Sequence, residues 1–301
     1  MTMAAPDNHG ALPSTESIED YHINLSNMLK ERNLKLLLTL LLFTVMATAA
    51  SAQCAFHNSA FKSGERLTYN LYFNWQFVWV KVGTASFDTD QTTFEGRQAY
   101  RGSLITRGNK RADNFFVLRD TLLCYNTLDL APLYYRKGAR EGKRYTVDEV
   151  NYSYPNGKCH VRQRRLRHNG ERVHEQHTYN DCVYDMMSIF LRARSFNPTG
   201  WSKGYVVRFP IVDGTKRYPA QLRYQGKVNV KADNKHTYRC LKLAYMENEN
   251  GEGYKKIVDF YISDDDNHVP IRLDMHLRFG SAKAYMTSVS GLRHAVNSLV
   301  K

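Results

Sequence analysis

Apolar residues recur at every second position through most of the chain. Ile271, Leu273, Met275, Leu277 and Phe279 alternate with Arg272, Asp274, His276 and Arg278, the pattern of a strand with one dry and one wet face. Leu67 to Trp75, Tyr205 to Ile211, Leu241 to Tyr245 and Val258 to Ile262 repeat it. Turn signals separate these runs. Asn156-Gly157 and Asn169-Gly170 are type I′ hairpin dipeptides, and Asp213-Gly214, Gln225-Gly226 and Asp264-Asp265-Asp266-Asn267 supply further breaks. Half-wet strands joined by short turns predict an all-β fold built as an antiparallel meander. A sheet of about a dozen strands hides its edges by curling or closing, so the expectation is a barrel or a strongly curved half-barrel with one or two short helices.

One segment departs from period two. Val183, Met186, Met187, Phe190 and Leu191 follow helical spacing after Asn180-Asp181, either of which suits a helix N-terminus. Arg192 and Arg194 fall in the last turn, where cations complement the helix dipole, and Phe196-Asn197-Pro198 should end the helix. Its apolar face requires a sheet to lie on.

Residues 28–52 read as a secretory signal peptide. Lys30, Arg32 and Lys35 precede a twelve-residue apolar core from Leu36 to Ala47, followed by the small-x-small site Ala50-Ser51-Ala52. The core is shorter than the roughly 20 residues a membrane span needs. The expected product is an exported domain of residues 53–301, in the periplasm or at the outer envelope and not transmembrane after cleavage. Residues 1–27 are polar and aperiodic, as a mis-annotated extension upstream of Met28 would be. Removing residues 1–52 takes away three cations and five acids, which raises the formal charge from +13 to +15. Such a charge suits an acidic partner, and export makes nucleic acid an unexpected one. Five cysteines remain, Cys54, Cys124, Cys159, Cys182 and Cys240. If Cys54 is free, the other four allow three pairings, and the sequence does not choose among them.

Gly64-Glu65-Arg66-Leu67-Thr68-Tyr69 leading to Val82-Gly83-Thr84-Ala85, the helix Tyr184 to Arg192, and the end block Phe260 to Asp265 with Val269-Pro270-Ile271 and Phe279-Gly280-Ser281 together resemble an exported bacterial family catalogued as domain of unknown function 3108. The resemblance spans about residues 61 to 292. It implies a β-rich envelope protein of a Gram-negative bacterium, with no established activity and no catalytic residues to carry over. The basic tract at Arg162 to Arg167 is a departure from the family core.

Candidate chemistry is sparse. Gly200-Trp201-Ser202-Lys203-Gly204 matches the nucleophile-elbow spacing, but the motif needs a strand before the serine and a helix after it, and here the order is reversed. His174-Glu175-Gln176-His177 is one residue short of a zincin motif and lies on a predicted strand, which sends the two rings to opposite faces. Asp264 to Asn267 offers clustered oxygens without the distal ligands of a calcium loop, and a tight turn is the simpler account. No catalytic residue, metal ligand or cofactor is expected.

Two groups of residues remain as candidate sites. Tyr69, Phe73, Trp75 and Trp79 enrich the first hairpin with rings, which either fill the core or line an apolar cavity for a lipid or other amphiphilic ligand. Arg162, Arg164, Arg165 and Arg167 form a dense tract that either is simply solvated or docks on anionic envelope glycan or lipid. A noncatalytic amphiphile-binding protein ranks first, an interaction module working through the basic hairpin second, and an enzyme on envelope glycan or lipid third.

Overall fold

The computed structural model describes residues 54–75, 78–114, 117–277 and 280–300. The expected extension and signal peptide, residues 1–52, lie outside the described residues. The strands form one antiparallel sheet of two meanders. The first comprises β1 (Glu65–Trp75), β2 (Val78–Phe94), β3 (Arg97–Gly108), β4 (Leu118–Thr127), β5 (Pro132–Glu141), β6 (Arg144–Ser153), β7 (Cys159–Leu166) and β8 (Arg172–Tyr179). The second comprises β9 (Val206–Asp213), β10 (Lys216–Lys231), β11 (Thr237–Glu247), β12 (Lys255–Ser263), β13 (Pro270–Leu277) and β14 (Gly280–Ser290). β1 pairs with β14 and fuses the meanders, which leaves β8 and β9 as the free edges of a fourteen-stranded, unclosed sheet. The curl is as expected, and closure by backbone hydrogen bonds is absent between these two strands.

Among the described residues two α-helices interrupt the strands: α1 (Lys110–Asp113) and α2 (Met186–Arg194). α2 carries the apolar spacing read from the sequence, but its cap is Asp185 and not Asn180 or Asp181. Asp185 Oδ1 accepts the N–H groups of Met187 (2.9 Å) and Ser188 (2.8 Å). The helix starts late because the preceding backbone is already in use. Tyr184 pairs in parallel with Ile211, donating to the Pro210 carbonyl and accepting from Val212 N–H, and so satisfies part of the free edge of β9.

α2 lies inside the curl and touches β4, β5 and β9. Gly102 is where it presses on the sheet: a β carbon there would sit 2.9 Å from Cys124 Sγ and 3.4 Å from Leu191 Cδ1. Phe190 packs edge-on against Phe87 and lies 6.3 Å from Phe260, joining both meanders through one side chain.

The period-two reading of β13 holds with a modification. Ile271 is buried, while Leu273 and Met275 are half-buried against the core. Arg272 and Asp274 are not water-facing as expected but half-buried. Arg272 lies between the rings of Tyr261 (4.9 Å) and Tyr285 (5.2 Å) and bonds Asp274, so a charged stripe on the outer face is covered by aromatic neighbours. Of the two Asn-Gly turns, Asn156-Gly157 has both residues left-handed (φ 52° and 72°), as type I′ requires. At Asn169-Gly170 only Gly170 is left-handed, and the turn widens to an Arg167–Glu171 closure.

Cys54 is not free. It forms a disulfide with Cys182 across 128 residues, while Cys124, Cys159 and Cys240 are buried thiols. A bond closing a loop of that size stabilises by about 5 kcal/mol in the chain-entropy account.

Candidate functional site

One end of the curl is sealed by matched polar groups. Arg194 is 2 % exposed and Glu65 0 %; they form a bidentate pair, with Arg194 Nη2 2.9 Å from Glu65 Oε2 and also donating to the Asn267 carbonyl. Asn267 in turn donates to the carbonyls of His294 and Ala295, and Arg293 donates to the Asn58 carbonyl, which holds the C-terminal segment over this end. The Asp264–Asn267 stretch is thus a turn: Asp265 accepts from Ser263, Asn267 N–H and Ser298, and Asp264 is held by Lys227 and Arg239. Tyr69, a candidate ligand-lining ring, belongs here. It is buried and its hydroxyl donates to the Pro270 carbonyl at 2.9 Å.

The other aromatic candidates are not brought together with it. Phe73 is half-buried, and Trp79 pairs across from Asn74 on the opposite face, exposed, with Lys283 Nζ 4.2 Å from its ring centroid. The side chain of Trp75 lies outside the described residues. The middle of the concavity is occupied by α2 and a polar knot beneath its first turn. Tyr152 and Ser188 hydroxyls both donate to Asp185 Oδ2, and burial pushes the Asp185 carboxyl up against these stabilising bonds. A depression of about 550 Å³ lies on the sheet around β1 and β2, where Tyr69, Ala85 and Ile105 share the lining with Thr68, Thr84 and Arg107, a mixed apolar and hydroxyl surface.

The four arginines of the basic tract divide by strand parity. Arg162 and Arg164 are exposed on the outer face of β7, opposite Gln176 and His174 of β8, and next to Arg172. Among the described residues no carboxylate pairs with Arg162, Arg164 or Arg172. Arg165 points the other way. It stands opposite Asp148, with Nε 3.3 Å from Oδ1, and its guanidinium lies over Gly214, where a β carbon would fall 2.0 Å from Nη1. Gln163 is buried beside it and donates to the Gly214 carbonyl at 2.8 Å. Arg217 completes the join, pairing with Asp181 and covering the Tyr179 ring. These side chains bind the β7–β8 edge to the β9–β10 turn, so the sheet is laced where backbone pairing stops. Arg167 sits at the hairpin tip, paired with Glu171 at 2.9 Å. Strand alternation alone separates Arg162 and Arg164 from Arg165; only the fold makes one face a surface and the other a seam.

Acids on β4 and β6 are perturbed. Burial, with Glu141 adding to it, pushes the Asp120 carboxyl up to about 6, and burial also raises Asp148 against the pull of Arg165. Asp120 Oδ1, Asp148 Oδ1 and Gln163 Oε1 are buried without a hydrogen-bond partner.

Ser202 lies in the exposed loop between α2 and β9, and no hydrogen bond joins its hydroxyl to a histidine or carboxylate among the described residues. His174 and His177 lie exposed on strand β8. Among the described residues no group of three or more His, Cys, Asp or Glu is placed to hold a metal ion.

The family described as protein of unknown function DUF3108 matches residues 68–287. The chain belongs to this family. A comparison with curated proteins finds no match. Among solved structures, a β-barrel-like protein of the DUF1849 domain family from Brucella abortus is similar at a TM-score of 0.52 and 9 % identity, over 80 % of this chain and 100 % of that one. Two further structures align over 79 % of this chain. One is a Bacteroides fragilis protein described as exported with a YmcC-like fold (TM-score 0.33, 10 % identity, 100 % of that chain covered). The other is a Parabacteroides distasonis protein described as a lipoprotein (TM-score 0.35, 11 % identity, 99 % covered). The DUF3108 chain therefore shares a β-barrel-like fold with the Brucella protein.

Proposed function

We propose that this DUF3108 protein is an exported, noncatalytic envelope module that docks on an anionic envelope component through the outer face of the β7–β8 hairpin. The observation that carries this reading is the pairing state of the arginines. Arg162, Arg164 and Arg172 are exposed on adjacent strands and no carboxylate among the described residues lies within ion-pair distance of them; Glu149, across from Arg164 on β6, is held by Arg136 and Tyr134. Cations left unpaired on a flat sheet face are available to phosphate or carboxylate groups. An amphiphile-binding role would instead need the concavity that α2, Phe190 and the Asp185 knot occupy.

The test is binding of the purified exported domain to phosphatidylglycerol vesicles and to an acidic polysaccharide, with and without R162Q/R164Q/R172Q. Each cation near an anionic surface contributes about 1 kcal/mol, so the triple variant should lose on the order of a hundredfold in affinity, together with most of the salt dependence. Unchanged binding by a folded triple variant would remove the proposal.

A further inference from the structure

The tip of the β1–β2 hairpin is built unlike the rest of the sheet. β3 pairs with β2 only from Gly83 onward, so residues 78–82 have β1 on one side and no strand on the other. The α1 cap residue Asn109 takes the carbonyls of Lys81 and Val82, which leaves the backbone of Val78, Trp79 and Val80 as an open edge among the described residues. Its side chains are apolar and exposed on both faces: Val78 is 62 % exposed, Val80 42 % and Trp79 37 %. Leu277, at the end of β13 on the same rim of the sheet but separated from β1 by β14, is 48 % exposed. Apolar side chains on a free strand edge invite association unless something covers them.

The charges around the tip say what covers it. Lys81 follows Val80 on the same strand, Lys110 and Arg111 stand on α1 against β2, and Lys283 lies over the Trp79 ring. Among the described residues none of these four cations lies within ion-pair distance of a carboxylate; Asp274, across from Lys283, is taken by Arg272. A small apolar wedge with a collar of unpaired Lys and Arg, and an indole at their junction, matches the layered chemistry of an anionic bilayer surface: acyl boundary, then phosphate headgroups. A protein partner would need shape complementarity and acids placed opposite each cation; a bilayer supplies negative charge without register. We infer that the tip formed by Val78, Trp79, Val80 and Leu277 inserts into the interface of an anionic lipid bilayer. Insertion stops at the headgroup level, because the open N–H and C=O groups of residues 78–80 lose their water partners in the hydrocarbon.

This surface is separate from the arginine face of β7–β8, so either can fail without the other. The experiment uses the exported domain with phosphatidylglycerol-containing vesicles, pure phosphatidylcholine vesicles and an acidic polysaccharide. V78S/V80S/L277S should weaken vesicle binding by on the order of a thousandfold, since each apolar side chain moved out of water accounts for about tenfold, and should leave polysaccharide binding unchanged. R162Q/R164Q/R172Q should weaken both. In a second measurement, W75F/W201F leaves Trp79 as the reporter. Its fluorescence should be quenched by lipids brominated near the headgroup and much less by lipids brominated deep in the acyl chain. The quenching arm keeps Val78, Val80 and Leu277 intact, so it decides the matter even if the triple serine variant does not fold. Wild-type-like vesicle binding by a folded V78S/V80S/L277S overturns the inference. So does the absence of quenching at any depth, or a solution dimer that this variant dissociates, which would make the tip an interface between copies.

Discussion

Two arginine-bearing segments look alike in the sequence and are used in opposite ways. Arg192 and Arg194 close α2, and Arg162 to Arg167 run along β7. By position both suit solvated cations. In the fold, Arg194 is enclosed with Glu65 beneath the Phe61 ring, and Arg192 lies over Phe56 while donating to the Cys54 carbonyl. Arg162 and Arg164 instead face outward with no ion pair, the Glu149 across from Arg164 being held by Arg136, and Arg165 is turned inward to Asp148 by the alternation of the strand. The difference lies in what approaches each segment. The chain before β1 and the loop after β12 close over the end of α2, while nothing described covers the outer face of the β7–β8 hairpin. A cation is structural where a distant acid is delivered to it in a dry place, and an available surface group where none is.

The sharpest way to break this comparison is to strand the buried charge. Glu65→Ala should destabilise the domain by about 3–5 kcal/mol, because it leaves the Arg194 guanidinium buried without its counter-charge. Urea unfolding monitored by circular dichroism measures it. Adding Arg194→Met to Glu65→Leu should recover much of the loss. If Glu65→Ala costs no more than a surface substitution, the end of α2 is wetter than the Glu65–Arg194 pair requires.

An acid of β4 offers an intermediate case, read through pH. Folded Asp120 titrates at about 6 against an ordinary value of 3.8, so the folded state binds its proton more tightly than the unfolded chain does. Its ionisation therefore opposes folding above pH 6, and that penalty is relieved as the pH falls from 6 towards 4. Asp120→Asn should raise the melting temperature at pH 7, and the advantage over wild type should vanish near pH 4. Thermal melts at the two pH values check this, and an advantage that is constant with pH would mean the carboxylate is solvated.

The smallest effect is expected at the outer arginines. R162Q/R164Q should change stability by no more than about 0.5 kcal/mol, the range of ordinary surface positions. Arg165→Gln, one residue further on, should cost more, since it leaves Asp148 buried and unpaired. Side-by-side urea curves of the two variants sharpen the contrast between surface and seam. Equal costs would show that strand parity does not sort these residues.

The periodicity of the chain was enough to establish strands, most turns, the helix and an antiparallel curled sheet. Each of these rests on neighbours within a few positions, where the alternation of side chains and the demands of a turn act directly. The candidate sites were only half legible. Tyr69, Phe73 and Trp79 share a hairpin in the sequence, yet a two-residue period places Trp79 on the far face and a hydrogen bond to Pro270 draws Tyr69 into the core. Arg162 and Arg165 differ by an odd step, which the alternating pattern does predict; that Asp148 and Gly214 would meet Arg165 it does not.

What the sequence by itself determined is therefore the local grammar: where strands run, where they turn and which of their faces are apolar. The tertiary structure alone decided the β1–β14 pairing, the choice of Cys182 for Cys54, Asp185 as the helix cap and Glu65 as the partner of Arg194. Each of these links, save the cap, joins residues more than a hundred positions apart. Even the cap was set at a distance, by the edge of β9 claiming Tyr184 first. Such choices depend on which groups the curl of the sheet brings within reach once water is excluded, and a short-range pattern carries no record of that.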